Sequence, residues 1–211
     1  MKRRTFIKHL SLGTTLIAFS GCRSLQSFGK EEEPFTIIAL PDTQLYSLYH
    51  PELFAQQTKW IRAQREKQNI ACVVHEGDIT HKNSQKEWKA ADQAMSVLDG
   101  YVPYCMAVGN HDLGPGGTAK NRDATLFNKH FGPDRFENKP WYGEHFGDGN
   151  ENAYYIINEG GMKLLVVCLE FGARDVVLDW ASNIMKKHKD RKAIVVTHCY
   201  TYSDNTRVGE G

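Results

Sequence analysis

Apolar positions recur along this chain in two rhythms, and the rhythms alternate. Residues 35–40, FTIIAL, are β-branched and aromatic and predict a strand that stops at Pro41. Residues 51–69 place Leu53, Phe54, Trp60 and Ile61 on a helical period. The run 71–76, ACVVHE, predicts a second strand. A helix follows over 84–99, opened by Ser84 with Glu87 three residues on and stopped near Gly100. Residues 102–108, VPYCMAV, predict a third strand.

The second half is less regular. A polar, glycine-rich stretch covers 113–122, a short helix lies near 123–130, and an aromatic-rich loop runs to about 150. Residues 152–158 and 163–170 read as neighbouring strands joined by Glu159, Gly160, Gly161 and Met162. A helix over 176–188 carries basic residues in its last turn, and 192–197 is a final strand. The β-α-β-α-β order of the first half implies a parallel sheet covered by helices, and the pair at 152–170 adds an antiparallel part. No internal repeat is present.

Composition is consistent with one sizeable core. The chain has 211 residues, 41% of them hydrophobic, which argues against disorder. Its net charge of +1 suggests no nucleic-acid partner and no polybasic membrane surface. Beyond residue 25 no apolar run reaches the length of a membrane helix.

The first 22 residues read as an export signal, with a charged start, a short apolar stretch and small residues before a cysteine. Arg3-Arg4-Thr5-Phe6-Ile7-Lys8 is similar to a twin-arginine signal. Phe19-Ser20-Gly21-Cys22 resembles a lipobox, which implies lipidation of Cys22 and a periplasmic or membrane-anchored lipoprotein. Residues 23–33 form a polar tether. Cys72, Cys105, Cys168 and Cys199 sit in or beside apolar runs without C-x-x-C spacing, so buried free thiols are expected.

Polar residues follow the predicted strands in one recurring way. Asp42 and Gln44 follow the first strand, Gly77-Asp78 the second and Gly109-Asn110-His111-Asp112 the third. Thr197-His198 follows the last. Carboxyl ends of parallel strands share one side of a sheet, where ligands bind. Mixed oxygen and imidazole donors suit an open catalytic site for Fe, Mn or Zn, and the absence of thiolates argues against a closed structural zinc site. An extended 42–44 segment would turn the Asp42 and Gln44 side chains the same way. A Cys-His dyad at His198-Cys199 is excluded, because adjacent side chains on an extended strand face opposite ways.

PDTQ, GD, GNHD and the later TH resemble, in order, the motifs of the calcineurin-like metallophosphoesterases, over residues 34–211. The resemblance implies an α/β sandwich with a central mixed sheet flanked by helices. It also implies hydrolysis of phosphate mono- or diesters by a dinuclear centre of divalent Mn, Fe or Zn and a metal-bound hydroxide. Asp42 and Gln44 would hold the first ion, Asp78 would bridge, and Asn110 and His198 would hold the second. His111 would protonate the leaving group, with His81 and Asp112 in support. Gln44 departs from the histidine usual at its position. The family's Gly-His-x-His is absent from these 211 residues, so the domain is expected to lack its C-terminal part. The alternative is an exported, non-catalytic binding module with a decayed or truncated site.

Overall fold

The computed structural model describes residues 33–201 and residue 206. The expected export signal, Cys22 and nearly all of the tether lie outside these residues. Among the described residues no helix is long and apolar enough to cross a membrane.

Among the described residues, seven strands divide between two sheets. In the first, β1 (Thr36–Leu40), β2 (Ile70–His75) and β3 (Tyr104–Met106) are all parallel. In the second, the order is β4 (Tyr142–His145), β5 (Ala153–Glu159), β6 (Met162–Cys168) and β7 (Lys192–Val196). There β4–β5 and β5–β6 are antiparallel, while β6–β7 is parallel. The crossover between β6 and β7 is a helix (Asp175–Lys187), as parallel pairing requires.

Strand alternation explains the layering. In the first sheet Val73, Tyr104 and Met106 face the helices over Pro51–Gln64 and Gln85–Met95, packing with Phe54, Ile61, Trp88 and Met95. Their neighbours Cys72, Val74, Cys105 and Ala107 face the second sheet and meet Tyr155, Ile157, Val166 and Cys168. The far side of the second sheet, with Leu165 and Val167, packs on Val177, Ala181 and Ile184 of the crossover helix. The result is helix, sheet, sheet, helix, with apolar residues on both faces of the inner strands.

Three local expectations change. Residues 44–49 form a helix, Gln44–Tyr49, so Gln44 does not continue an extended chain. The second helix ends at Gln64, because the polar stretch after it turns through Asn69 at φ 46° to deliver Ile70 into β2. The aromatic stretch before residue 150, expected as a loop, contains β4 and packs into the core. Trp141 and Tyr142 close on Tyr104, Phe136 and Tyr155, and Phe146 lies on Trp180. Numbered in chain order, the helices are α1 (Gln44–Tyr49), α2 (Pro51–Gln64), α3 (Gln85–Met95), α4 (Thr125–Phe131), α5 (Pro133–Phe136) and α6 (Asp175–Lys187).

Candidate metal centre

The loops after β1, β2 and β3 leave one edge of the first sheet together, and the segment after β7 reaches the same rim from the second sheet. Asp42, directly after Pro41, takes φ 34°, and Asp78 takes φ 48°. Both are in the left-handed region, which turns each carboxylate out of its strand direction. Gly77, at φ 97°, lies so close to the third-strand loop that a Cβ would come within 2.7 Å of the Gly109 nitrogen. A Cβ on Gly109 would meet Asp78 Oδ1 at 2.1 Å. The glycines of the two motifs are therefore steric requirements of their contact.

Asp112 ties that contact. Its buried carboxylate accepts the N–H groups of Gly109 (2.9 Å), Ile79 (3.0 Å) and Thr80 (2.8 Å), and the Thr80 hydroxyl (3.0 Å). Burial pushes its pKa up to about 6, against the pull of these hydrogen bonds. Glu87, also fully buried, accepts from the N–H groups of His81, Lys82 and Ser84 and so holds the His81 loop.

Asp42, Asp78 and His198 each offer a ligand atom, and these atoms lie within 4.8 Å of one another. His198 Nδ1–H donates to the Glu76 carbonyl at 3.0 Å, which turns Nε2 towards Asp78 Oδ2 at 3.4 Å. A backbone carbonyl behind the imidazole is a usual support for a metal-binding histidine. Burial works against charge on His198, but the Asp78 hydrogen bond and charge, the Glu76 carbonyl and Asp42 outweigh it and raise its pKa to about 9. Burial likewise opposes ionisation of Asp78, yet hydrogen bonds from His198 and the His111 N–H hold its pKa below the usual value. The cluster thus already draws positive charge.

His111 stands beside it. Its backbone N–H donates to Asp78 Oδ1 at 2.9 Å, and its Nδ1–H to the His81 carbonyl at 2.8 Å. The His81 and His111 rings stack at 4.9 Å and 17°. Among the described residues no hydrogen bond reaches His111 Nε2. Asn110 opens the same short turn, half-buried, and its side chain makes no hydrogen bond among the described residues. Gln44 arrives from the first turn of α1, with Nε2 3.1 Å from Asp78 Oδ2 and Oε1 2.8 Å from His81 Nδ1.

Two participants escape sequence reading. His75, at the end of β2, is fully buried beneath the site. It accepts the Gly77 N–H on Nδ1 (3.2 Å) and donates from Nε2 to the Thr43 hydroxyl (2.9 Å). The available signal was an imidazole in the otherwise apolar run IACVVH. Phe171, after β6, lies 6.2 Å from the His198 ring, and Arg122 holds its backbone by donating to the Phe171 and Gly172 carbonyls. Nothing in the local sequence marks that pairing.

The donor chemistry fits a divalent cation: two carboxylates and one imidazole presented by three separate segments, with an amide at Asn110 to one side.

Comparison with known proteins agrees. Residues 35–210 match the family model described as calcineurin-like phosphoesterase. The uncharacterized protein YvnB of Bacillus subtilis (strain 168) is 35% identical over 183 residues, covering 85% of this chain and 14% of its own length. The chain thus spans about a seventh of that relative. The structure of purple acid phosphatase PPD1 from yellow lupin (Lupinus luteus) seeds superposes with a TM-score of 0.53 at 15% identity, over 83% of this chain and 33% of that one. That superposition concerns the fold, while the matched model covers nearly all the described residues: the chain belongs to the calcineurin-like phosphoesterase family.

Proposed function

We propose that this chain carries the metal-binding rim of a hydrolase acting on phosphate mono- or diesters. The observation that supports this reading is the convergence of Asp42, Asp78 and His198 to within 4.8 Å from three loops. These three would hold a divalent cation, and Asn110 is the neighbouring side chain available to a second one shared through Asp78. A cation there would offset the negative charge that gathers on a phosphoryl group during transfer.

His111 has the remaining role. The His81 carbonyl fixes its Nδ1–H, so Nε2 is the atom left to give a proton to a departing alkoxide or to steady a phosphoryl oxygen. Asp112 and Glu87 fix the two loops on which His111 and His81 stand.

The test uses the full-length protein. Its metal content and its hydrolysis of an aryl phosphate monoester and diester are measured before and after chelation. Chelation should abolish turnover, and Asp78→Asn should lower metal content and turnover together. Turnover that survives complete removal of metal would overturn the reading.

The same proposal places the protein outside the cytoplasm, supported by Arg3-Arg4 and by Phe19-Ser20-Gly21-Cys22. Cell fractionation checks this: Cys22→Ala should move the protein out of the membrane fraction, and an unchanged distribution would remove lipidation from the account.

A further inference from the structure

Gln44 occupies the place where an oxygen ligand is expected, but both ends of its amide are engaged elsewhere. The Asp78 carboxylate can only accept, so the 3.1 Å contact with Oδ2 belongs to the amide nitrogen. The amide oxygen then faces His81 Nδ1 at 2.8 Å, where the imidazole N–H donates. His81 passes the connection on. Its ring stacks on His111 at 4.9 Å, and its carbonyl takes the His111 Nδ1–H. His111 returns to Asp78 through its backbone N–H. The contacts close a ring: Asp78, Gln44, His81, His111 and back to Asp78.

We infer that Gln44 is a positioning residue, an amide bridge that couples the cation-holding carboxylate to the His81–His111 stack, and is not itself a metal ligand. The inference rests on the phosphoesterase reading for the role of His111, but the bridge is a claim about contacts. Placing Gln44 on α1 rather than on an extended strand is what makes it possible. From the first helical turn the side chain crosses to the second-strand loop, whereas Asp42 stays at the strand end. Loosening the bridge should free the His81 ring, and with it the direction of His111 Nε2.

Two variants of the full-length, Zn-loaded protein cut the bridge at different points. Gln44→Leu removes both amide contacts, and His81→Phe keeps a flat ring but loses the Nδ1 donor. Gln44→Leu should retain the native number of bound cations, measured by elemental analysis. Its kcat should fall about tenfold or more with little change in KM, as supporting residues around metal sites generally show. The double variant should lose no more than the worse single one, since both cut the same link. The His111 ring-proton NMR resonances, displaced by the stacked His81 ring, should move in Gln44→Leu. Loss of a cation from Gln44→Leu would make Gln44 a ligand and overturn the inference. Unmoved His111 resonances, or additive losses in the double variant, would overturn it as well. A native protein without turnover would count against the phosphoesterase reading alone, because cation count and resonances still decide the bridge.

Discussion

At the scale of single residues, the buried imidazole of His75 makes the fold sensitive to acid. His75 is enclosed, and its Nδ1 already accepts the Gly77 N–H, so a second proton would set two N–H groups against each other. Burial first, and then the charge of His198, lower its pKa from 6.5 to about 3. A depressed histidine pKa means that the unfolded chain takes up the proton first. Its contribution to stability is therefore complete above about 6.5 and is lost as pH falls through the range down to about 3. Going from pH 7 to pH 5 should cost the cation-free protein about 2 kcal/mol through this group, an upper figure for a fully buried site. His198 acts in another window: its raised pKa stabilises fully below about 6.5 and loses that effect as pH rises through about 9. Urea unfolding at pH 7 and pH 5 isolates the His75 share by difference, because the raised groups His198 and Asp112 gain stability as the pH falls over the same interval. The native protein should change less favourably than His75→Gln by about 2 kcal/mol, and equal changes in the two proteins would assign the acid sensitivity elsewhere.

At the scale of elements, the start of α3 does more than begin a helix. Ser84 and Glu87 form a reciprocal capping box, as their spacing predicts. The same Glu87 carboxylate also accepts the His81 and Lys82 N–H groups, so the helix cap anchors the loop that carries the His81 ring. Removing the two partners should therefore have unequal effects. Ser84→Ala should cost about 1 kcal/mol, the usual value for a lost N-cap. Glu87→Ala leaves several part-buried backbone donors without their acceptor and should cost about 2 kcal/mol or more. Denaturant midpoints at a constant m-value measure both, and equal costs would show that the loop is held by other contacts.

At the scale of the whole molecule, the site depends on two sheets meeting at one rim. Asp42, Asp78 and the GNHD turn come from the three-stranded parallel sheet, and His198 comes from β7 of the other. Packing between the sheets sets their separation, and three of the cysteines lie in that layer as small apolar residues. Burial pushes the thiol of Cys72 up to about 12 and that of Cys105 well above its ordinary value, so neither is poised to react. Changes in this layer should reach the candidate metal centre by shifting His198 against Asp78, because close-packed interiors transmit displacement.

Periodicity and turn chemistry alone were enough for most of the strands and helices, the stop at Pro41 and the capping box at Ser84, since these depend on neighbours a few residues apart. The ordered motifs also pointed to Asp42, Gln44, Asp78, Asn110, His111 and His198 as residues of one edge, because strand ends carry direction. What remained hidden depends on contacts between distant segments. That Gln44 begins a helix follows from Thr43 and Ser47 both donating to the Ile79 carbonyl, more than thirty residues away. That its amide faces both Asp78 and His81 depends on where two other loops stand. The aromatic stretch from Phe136 to Phe146 has no clear period, and only the surrounding rings make it part of the core. The division into two sheets was likewise a tertiary decision: strands apolar on both faces need cover on both sides, and only folding settled that the second cover would be another sheet.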